Sequence, residues 1–131
     1  MVKRSRLMTS AGRPRPSRLV TVKLSPSKAK EMANELMENY PEYSSSSLRC
    51  ISWKYDAGIF KFLDTETGKE HTVTADQIAK AIPSFVEKNL SGKYNLFRGL
   101  DSVDIMDTGN WDADAVDGVV QEAIFGEVIY G

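Results

Sequence analysis

The chain has 131 residues, of which 41% are hydrophobic and 27% charged, and its formal net charge is -1. The length suits one domain that buries its core without disulfides or a structural metal. The single cysteine excludes an internal disulfide, and no apolar run approaches the roughly 20 residues that cross a membrane. The basic N-terminus lacks the apolar core of a secretion signal, so we expect a cytoplasmic protein that does not contact membranes.

Residues 1–17 are rich in Arg, Ser, Pro and Gly and show no apolar periodicity, which predicts a flexible basic tail ahead of a single domain at 18–131. The β-branched run Leu19–Leu24 predicts a first strand. Ser25 and Pro26 then provide an N-cap and a first helical residue. The helix extends toward Pro41, and its apolar positions at helical spacing are Ala29, Met32, Ala33, Leu36, Met37 and Tyr40.

Three short strands are predicted at 48–55, 59–63 and 69–73, joined by tight turns. They form a β-meander in which aromatic side chains pair across neighbouring strands. These aromatic residues are Trp53, Tyr55, Phe60 and Phe62.

A capping box at Thr74 and Gln77 begins the next helix. Pro83 lies inside this helix and is expected to kink or split it. A short helical turn is predicted near 100–106, and a last helix at about 111–125 ends at Gly126. Residues 127–131 are expected to add an edge strand or to dock on the core.

The predicted order is β-α-β-β-β-α-(α)-α-β. It indicates an α+β fold, with a largely antiparallel sheet of three to five strands packed by three main helices.

Metal and catalytic patterns are weak in this chain. The acids that follow Asp112 do not match the calcium-loop spacing, and one Cys with one His cannot supply a usual zinc site. Magnesium would require Asp104, Asp107 and Asp112 to converge in space. Cys50 and His71 are interpreted as structural residues, although pairing between them across the sheet stays open. We therefore predict no catalytic residue, no cofactor and no metal, and expect that the protein is not an enzyme.

The helix-strand-strand-strand-helix order of residues 26–90 resembles double-stranded-RNA-binding domains and the three-strand-plus-helix domains that read DNA with a sheet. The resemblance is one of topology alone. Such an RNA-binding domain begins its second helix with a basic cluster, whereas this helix begins with Thr74, Asp76 and Gln77, and residues 49–73 hold four bases and four acids. Nucleic-acid contact is instead expected from the tail, through Lys3, Arg4, Arg6, Arg13, Arg15 and Arg18.

Charge is strongly segregated along the chain. Residues 1–30 carry nine bases and no acid, whereas residues 99–131 carry eight acids and no base. Helix capping and the helix dipole account for part of the acidic end, with Asn110 or Asp112 as the N-cap. This interpretation places Asp117, Gln121 and Glu122 on the solvated face and leaves Asp104 and Asp107 unexplained. The alternative is an electronegative patch that receives the basic tail of the same chain or of a second copy, or a basic protein. Carboxylates spaced like phosphates would also let such a patch mimic DNA.

Our leading hypothesis is a small non-catalytic binding or accessory protein, of a general character common among bacterial, phage and plasmid proteins. Its partner is a protein or a second copy, and the predicted binding residues are Asp101, Asp104, Asp107, Asp112 and Asp114. A nucleic-acid-associated protein that uses the basic tail is the alternative. A third hypothesis, an enzyme with surface carboxylates, requires a cleft that contains at least two acids of shifted pKa.

Overall fold

The computed structural model describes residues 24–38, 40 and 44–130. The predicted basic tail, and all but Leu24 of the predicted first strand, lie outside these residues. The helices and strands follow in the order α1 (Pro26–Met37), β1 (Leu48–Lys54), β2 (Ile59–Asp64), β3 (Glu70–Thr74), α2 (Ala75–Leu90), α3 (Ser102–Ile105) and α4 (Ala113–Phe125). In the described part of the chain the strands form one sheet in the order β1-β2-β3, with both pairs antiparallel. The α+β prediction is confirmed, with the sheet at the lower limit of its expected size.

Helix α1 begins as the sequence predicts and ends earlier than expected. The Ser25 hydroxyl accepts the backbone N–H of Lys28, and Pro26 occupies the first turn. The helical residues end at Met37, ahead of Pro41. All six residues of the predicted apolar face are buried, so Met32 and Met37 are core residues. Sulfur side chains of this kind fill irregular gaps in a core.

The β-meander places one aromatic-rich face against the helices. Phe60 and Phe62 of β2 are buried together with Leu48 and Cys50 of β1. Cross-strand pairing is confirmed for Trp53, which lies opposite Phe60. The pairing register shifts between Cys50 and Ser52, which marks a bulge in β1.

Helix α2 is a 16-residue helix that begins with the predicted capping box and continues through Pro83. Of the two expected effects of this proline, splitting the helix is wrong, because one missing N–H donor leaves the rest of the hydrogen-bond ladder intact, and a kink stays a prediction. Its predicted inward residues are all buried: Ile78, Ile82, Phe85 and Val86.

Helices α1, α2 and α4 pack around the core that the sheet completes, and α2 contacts both of the others. Along α4, Gly118 lies so close to Phe85 that the two helices approach each other with little space between them. Gly126 ends α4 in the left-handed conformation, with φ 80°. Residues 127–130 do not form a strand. They dock on the domain instead, which was the second of the two expected arrangements.

Candidate functional site: an acidic surface and the cleft beside it

The five predicted binding aspartates lie on a run of short turns between residues 101 and 114. Three of them are N-caps, and each accepts a backbone N–H at 2.9 Å: Asp101 from Asp104, Asp107 from Gly109, and Asp112 from Ala115. Asp104 and Asp114 lie in the first turns of α3 and α4. A negative charge at this end of a helix interacts favourably with the helix dipole. Hydrogen bonds to the local backbone therefore place three of the five side chains.

Capping accounts for more of these residues than the sequence suggested. Asp107 was expected to have no capping role, but it caps the 3-10 turn Thr108–Asn110. This turn was absent from the sequence prediction, because a single turn leaves no apolar periodicity. Asp104 and Asp114 are the two of the five aspartates that have no capping role.

All five carboxylates are exposed to solvent. Arg98 is the cation that pairs with them, at 3.9 Å from Asp112 and 3.5 Å from Asp114. Exposed ion pairs of this geometry contribute at most about 1 kcal/mol, so they are easily exchanged for contacts with another charged molecule. We call these five residues together with Val103 the acidic surface.

Val103 is the most exposed large apolar side chain in the described part of the chain, at 77% of its maximum. It lies in α3 between Asp101 and Asp104. An isolated exposed apolar residue is ordinary, but one with exposed carboxylates on either side of it in the chain resembles part of a binding surface, where an apolar anchor has a polar rim.

The turns that carry the acidic surface are anchored to the core by two buried side chains. Ile105 is fully buried, and the indole N–H of Trp111 donates to its carbonyl at 2.8 Å. The Trp111 ring also packs edge-on against Phe97, with centroids 4.8 Å apart. The surface is consequently carried by a fixed scaffold.

An open cleft of about 370 Å³ adjoins the acidic surface. Arg98, Asp114, Asp117 and Gln121 are among the residues that line it. Ser45, Ser47 and Tyr130 contribute hydroxyl groups. The cleft thus offers hydrogen-bonding groups and a slight excess of negative charge next to the exposed carboxylates.

Gln121 lines this cleft and forms hydrogen bonds to other residues around it, although it was expected on the solvated face of α4. It is only 1% exposed. Its amide nitrogen donates to Asp117 at 2.7 Å and to the carbonyl of Tyr130 at 3.0 Å, and its oxygen accepts the N–H groups of Ile129 and Tyr130, both at 2.8 Å. The expectation is wrong because the C-terminal residues cover this side of the helix.

Two tyrosine–aspartate hydrogen bonds extend the same network. Tyr40 donates to Asp117, and burial together with the Asp117 charge raises the pKa of Tyr40 well above its ordinary value. Tyr130 donates to both carboxylate oxygens of Asp64, at 2.8 and 2.7 Å. This hydrogen bond raises the pKa of Tyr130 to about 12. Burial works to raise the pKa of Asp64, but its hydrogen bonds outweigh that effect and hold the pKa below its usual range.

Glu122 is also buried, which contradicts its expected place on the solvated face. It accepts hydrogen bonds from Lys88, Ser84 and Tyr94, and so joins α4 to α2 and the segment that follows α2. The hydrogen bond with Glu122 raises the pKa of Lys88. Asp117 and Glu122 therefore belong to the internal structure, and they do not add to the acidic surface.

The residues considered for catalysis lie apart from one another. Cys50 of β1 and His71 of β3 both lie opposite Phe62 of β2, which is the strand between them. Their backbones are therefore two strand spacings apart, at about 4.8 Å for each spacing. Burial raises the pKa of Cys50 to about 11. The His71 ring packs edge-on against Phe125, and its Nε2 atom has no hydrogen-bond partner among the described residues. Cross-sheet pairing of this cysteine and histidine is therefore excluded.

Carboxylates with shifted pKa are found at two separate places. The pKa of Asp64 is lowered as described above, and the pKa of Asp76 is lowered by its hydrogen bond and charge interaction with Lys30. Both residues favour the ionised form, whereas a general acid near neutral pH needs a raised pKa. Within residues 24–38, 40 and 44–130, no group of three or more His, Cys, Asp or Glu side chains converges as a metal site would require.

Comparison of the chain with known protein families, with curated proteins and with solved structures found no match. None of the helices in the described part of the chain has both the length and the apolar character needed to cross a membrane. The six tail residues proposed for nucleic-acid contact, Lys3, Arg4, Arg6, Arg13, Arg15 and Arg18, lie outside the described residues.

Proposed function

We propose that the protein is a non-catalytic binding protein whose acidic surface docks a basic segment of a protein partner. The observation that carries this proposal is Val103, a highly exposed apolar side chain on the same run of turns, residues 101–114, as five exposed carboxylates. A basic segment with one apolar residue matches both features, since its cations meet the carboxylates while its apolar side chain covers Val103.

The energetics favour recognition through charge with a modest apolar contribution. Burial of a valine side chain contributes about 1.5–3 kcal/mol, and rim charges act mainly on the association rate and on partner choice. We therefore expect binding that weakens as the salt concentration rises, because salt screens exposed charges beyond about 10 Å at 0.1 M.

The test is a titration with a short synthetic peptide rich in Arg and Leu, followed by fluorescence anisotropy. The test variant replaces Asp104, Asp107, Asp112 and Asp114 with Asn together. Asparagine is as good an N-cap as aspartate, so the turns keep their caps while four charges are lost. The matched control changes the net charge by the same amount elsewhere, through Asp56→Asn, Glu66→Gln, Glu70→Gln and Glu87→Gln.

The acidic-surface variant is expected to lose about tenfold or more in affinity, which corresponds to about 1.4 kcal/mol. The control should lose much less, and Val103→Ser should weaken binding with no change in salt dependence. Equal losses in the two charge variants would mean that net charge alone attracts the peptide, and the proposal would then be abandoned.

A further inference from the structure

The face of the sheet that points away from the core is exposed and carries most of the charged side chains of the strands. Phe60 and Phe62 of β2 are buried, so the residues that alternate with them in β2 lie on the other face, together with the residues paired opposite those in β1 and β3. We call this the outer face. Its charged and apolar members are Arg49, Lys54, Ile59, Lys61, Leu63 and Glu70, each of them exposed or partly exposed, and its remaining members are Ser or Thr.

The outer face is basic although residues 49–73 are neutral in sequence. The segment holds four bases and four acids. Three of the bases lie on the outer face, whereas Glu70 is its single acid. Asp64 is buried on the other face, at 2% exposed, and the remaining two acids lie in the turns that join the strands. The fold thus separates charges that cancel along the chain.

The three bases form a row across β1 and β2. Arg49 lies opposite Leu63, and Lys54 lies opposite Ile59. Lys61 is two residues from both Leu63 and Ile59, so it is the diagonal neighbour of each β1 base, at about 7–8 Å. The row therefore alternates with the two apolar side chains of the outer face.

The bases of this row have few charged partners within the chain. Lys61 pairs with Glu70 at 3.7 Å, and both side chains are exposed. Exposed pairs of this kind contribute at most about 1 kcal/mol and exchange readily. Within the described residues, Arg49 and Lys54 make no ion pair. The outer face can consequently accept carboxylates from another molecule.

The acidic surface has the complementary composition, with five exposed carboxylates and the exposed side chain of Val103. The turns that carry it contact helices α1 and α2. These helices pack on the side of the sheet that holds Phe60 and Phe62, so the acidic surface and the outer face lie on different sides of the molecule. A contact between the two surfaces therefore requires two copies of the chain.

A nucleic acid is the other class of partner that a basic sheet face could bind. No aromatic residue lies on the outer face, so it lacks the side chains on which unpaired bases stack. The chain also has a net charge of -1, and its acidic surface would repel phosphate groups. These features favour protein carboxylates over phosphates.

We propose that the outer face of one copy of the chain docks the acidic surface of a second copy. This contact rests on the proposed function, since it gives the acidic surface a second copy as its protein partner and the outer face as the basic element of that partner. Head-to-tail contacts of this kind close into rings or continue as filaments. A face of three short strands measures roughly 14 by 20 Å, which suits a transient interface that weakens at high salt.

Sedimentation velocity of the full chain, over a range of protein concentrations at low salt, measures this self-association. The sheet variant combines Arg49→Gln, Lys54→Gln and Lys61→Gln, which removes the three bases of the outer face and leaves the core unchanged. Its matched control combines Lys28→Gln, Lys80→Gln and Lys93→Gln, three exposed bases outside the outer face. The dissociation constant should rise about tenfold or more in the sheet variant and much less in the control.

A mixing experiment tests whether the two surfaces meet each other. The acidic-surface variant should lose self-association as the sheet variant does. An equimolar mixture of the two variants should form a 1:1 complex that does not grow further, because one partner keeps the outer face and the other keeps the acidic surface. A mixture that stays monomeric while the unmodified protein associates would overturn the pairing of these surfaces.

Peptide binding separates this inference from the proposed function. The sheet variant keeps the acidic surface, so it should bind the Arg- and Leu-rich peptide with unchanged affinity. An unmodified protein that is monomeric at every concentration, or equal losses in the sheet variant and its control, would overturn the self-docking even where peptide binding persists. Binding of a short DNA or RNA duplex by the monomer, lost in the sheet variant, would assign the outer face to phosphate groups and would also overturn it.

Discussion

The buried amide group of Gln121 makes four hydrogen bonds, of which three join helix α4 to the C-terminal residues and one stays within the helix, at Asp117. Its oxygen accepts hydrogen bonds from two backbone N–H groups, and its nitrogen donates one to Asp117, which also lines the cleft. A buried amide with every hydrogen bond satisfied specifies a single arrangement, because loss of any partner leaves a polar group unpaired. Gln121 therefore holds the backbone of residues 129 and 130, while Tyr94 accepts the N–H of Val128 and Asp64 accepts the Tyr130 hydroxyl.

Replacement of Gln121 with Leu is expected to lower the free energy of unfolding by about 1–3 kcal/mol, since buried backbone donors lose their partner. Urea denaturation measures this change, and carboxypeptidase digestion should remove the C-terminal residues faster. Gln77→Leu is the matched control, because Gln77 is exposed and accepts one hydrogen bond in the capping box. A loss no larger than that of the control would contradict the role given to Gln121.

The Tyr130–Asp64 pair predicts a specific dependence of stability on pH. The pKa of Tyr130 is raised from 10.0 to about 12, so its contribution is complete below pH 10 and is lost as the pH rises toward 12. The pKa of Asp64 is lowered, so its contribution is present above its ordinary value of about 4 and is lost as the pH falls through the folded-state value.

Tyr130→Phe keeps the ring that packs edge-on against Phe125 but removes the hydroxyl. The fall in stability between pH 10 and 12 should therefore be smaller in this variant than in the unmodified protein, and the acid-side fall should also be smaller. Urea unfolding across both pH ranges measures the difference. Parallel stability curves for the two proteins would show that the hydrogen bond has no influence on either titration.

Sequence patterns located local contacts well and distant ones poorly. The N-caps Ser25 and Thr74 could be identified because the capping groups lie within three residues of each other. Gln121 and Glu122 could not be placed, because their partners lie on other elements or on the C-terminal segment. Polar residues on a helix are expected to face water unless something covers them, and nothing local in the sequence reveals that cover.

At the scale of elements, the contact between α2 and α4 depends on a glycine. A Cβ atom at Gly118 would lie 2.6 Å from Leu96 Cδ1 and 2.8 Å from Phe85 Cζ. Both distances are too short for carbon atoms, so the ring and the leucine would have to move. This requirement outweighs the gain of about 0.5–1 kcal/mol that alanine usually brings to a helix interior.

Gly118→Ala is expected to destabilise the protein by about 1–3 kcal/mol, the usual cost of overpacking a core. Thermal unfolding followed by circular dichroism measures the effect. The compensating variant Gly118→Ala with Leu96→Ala should recover part of the loss, because it removes one of the two close contacts. Higher stability in Gly118→Ala alone would show that the helices separate freely and that close packing at this position is unimportant.

The strands could be predicted to within about a residue, but the behaviour of β1 could not. Alternation predicted Ile51, Trp53 and Tyr55 on one face of the strand, but Tyr55 follows β1 in a 3-10 turn and all three side chains are exposed. The bulge after Cys50 changes the alternation, and it arises from the pairing with β2, which a single strand sequence does not encode.

At the scale of the whole molecule, the acidic third of the chain separates into an outer and an inner set. Asp101, Asp104, Asp107, Asp112 and Asp114 stay on the surface, whereas Asp117 and Glu122 enter hydrogen-bond networks. The sequence could indicate that this surface is negatively charged, but not which acids belong to it. Asp117 is hydrogen-bonded by Tyr40 and Gln121, and Glu122 by Lys88, and none of these contacts is visible in the sequence. The exposed set, together with Val103, is the acidic surface on which the proposed function depends.

Hydrogen exchange detected by mass spectrometry, with and without the Arg- and Leu-rich peptide, tests this proposal most directly because it locates the bound peptide on the protein. We predict slower exchange at residues 101–112, where the acidic surface lies, and little change at residues 51–59. Protection confined to residues 51–59, or spread evenly over the molecule, would contradict the assignment of binding to the acidic surface.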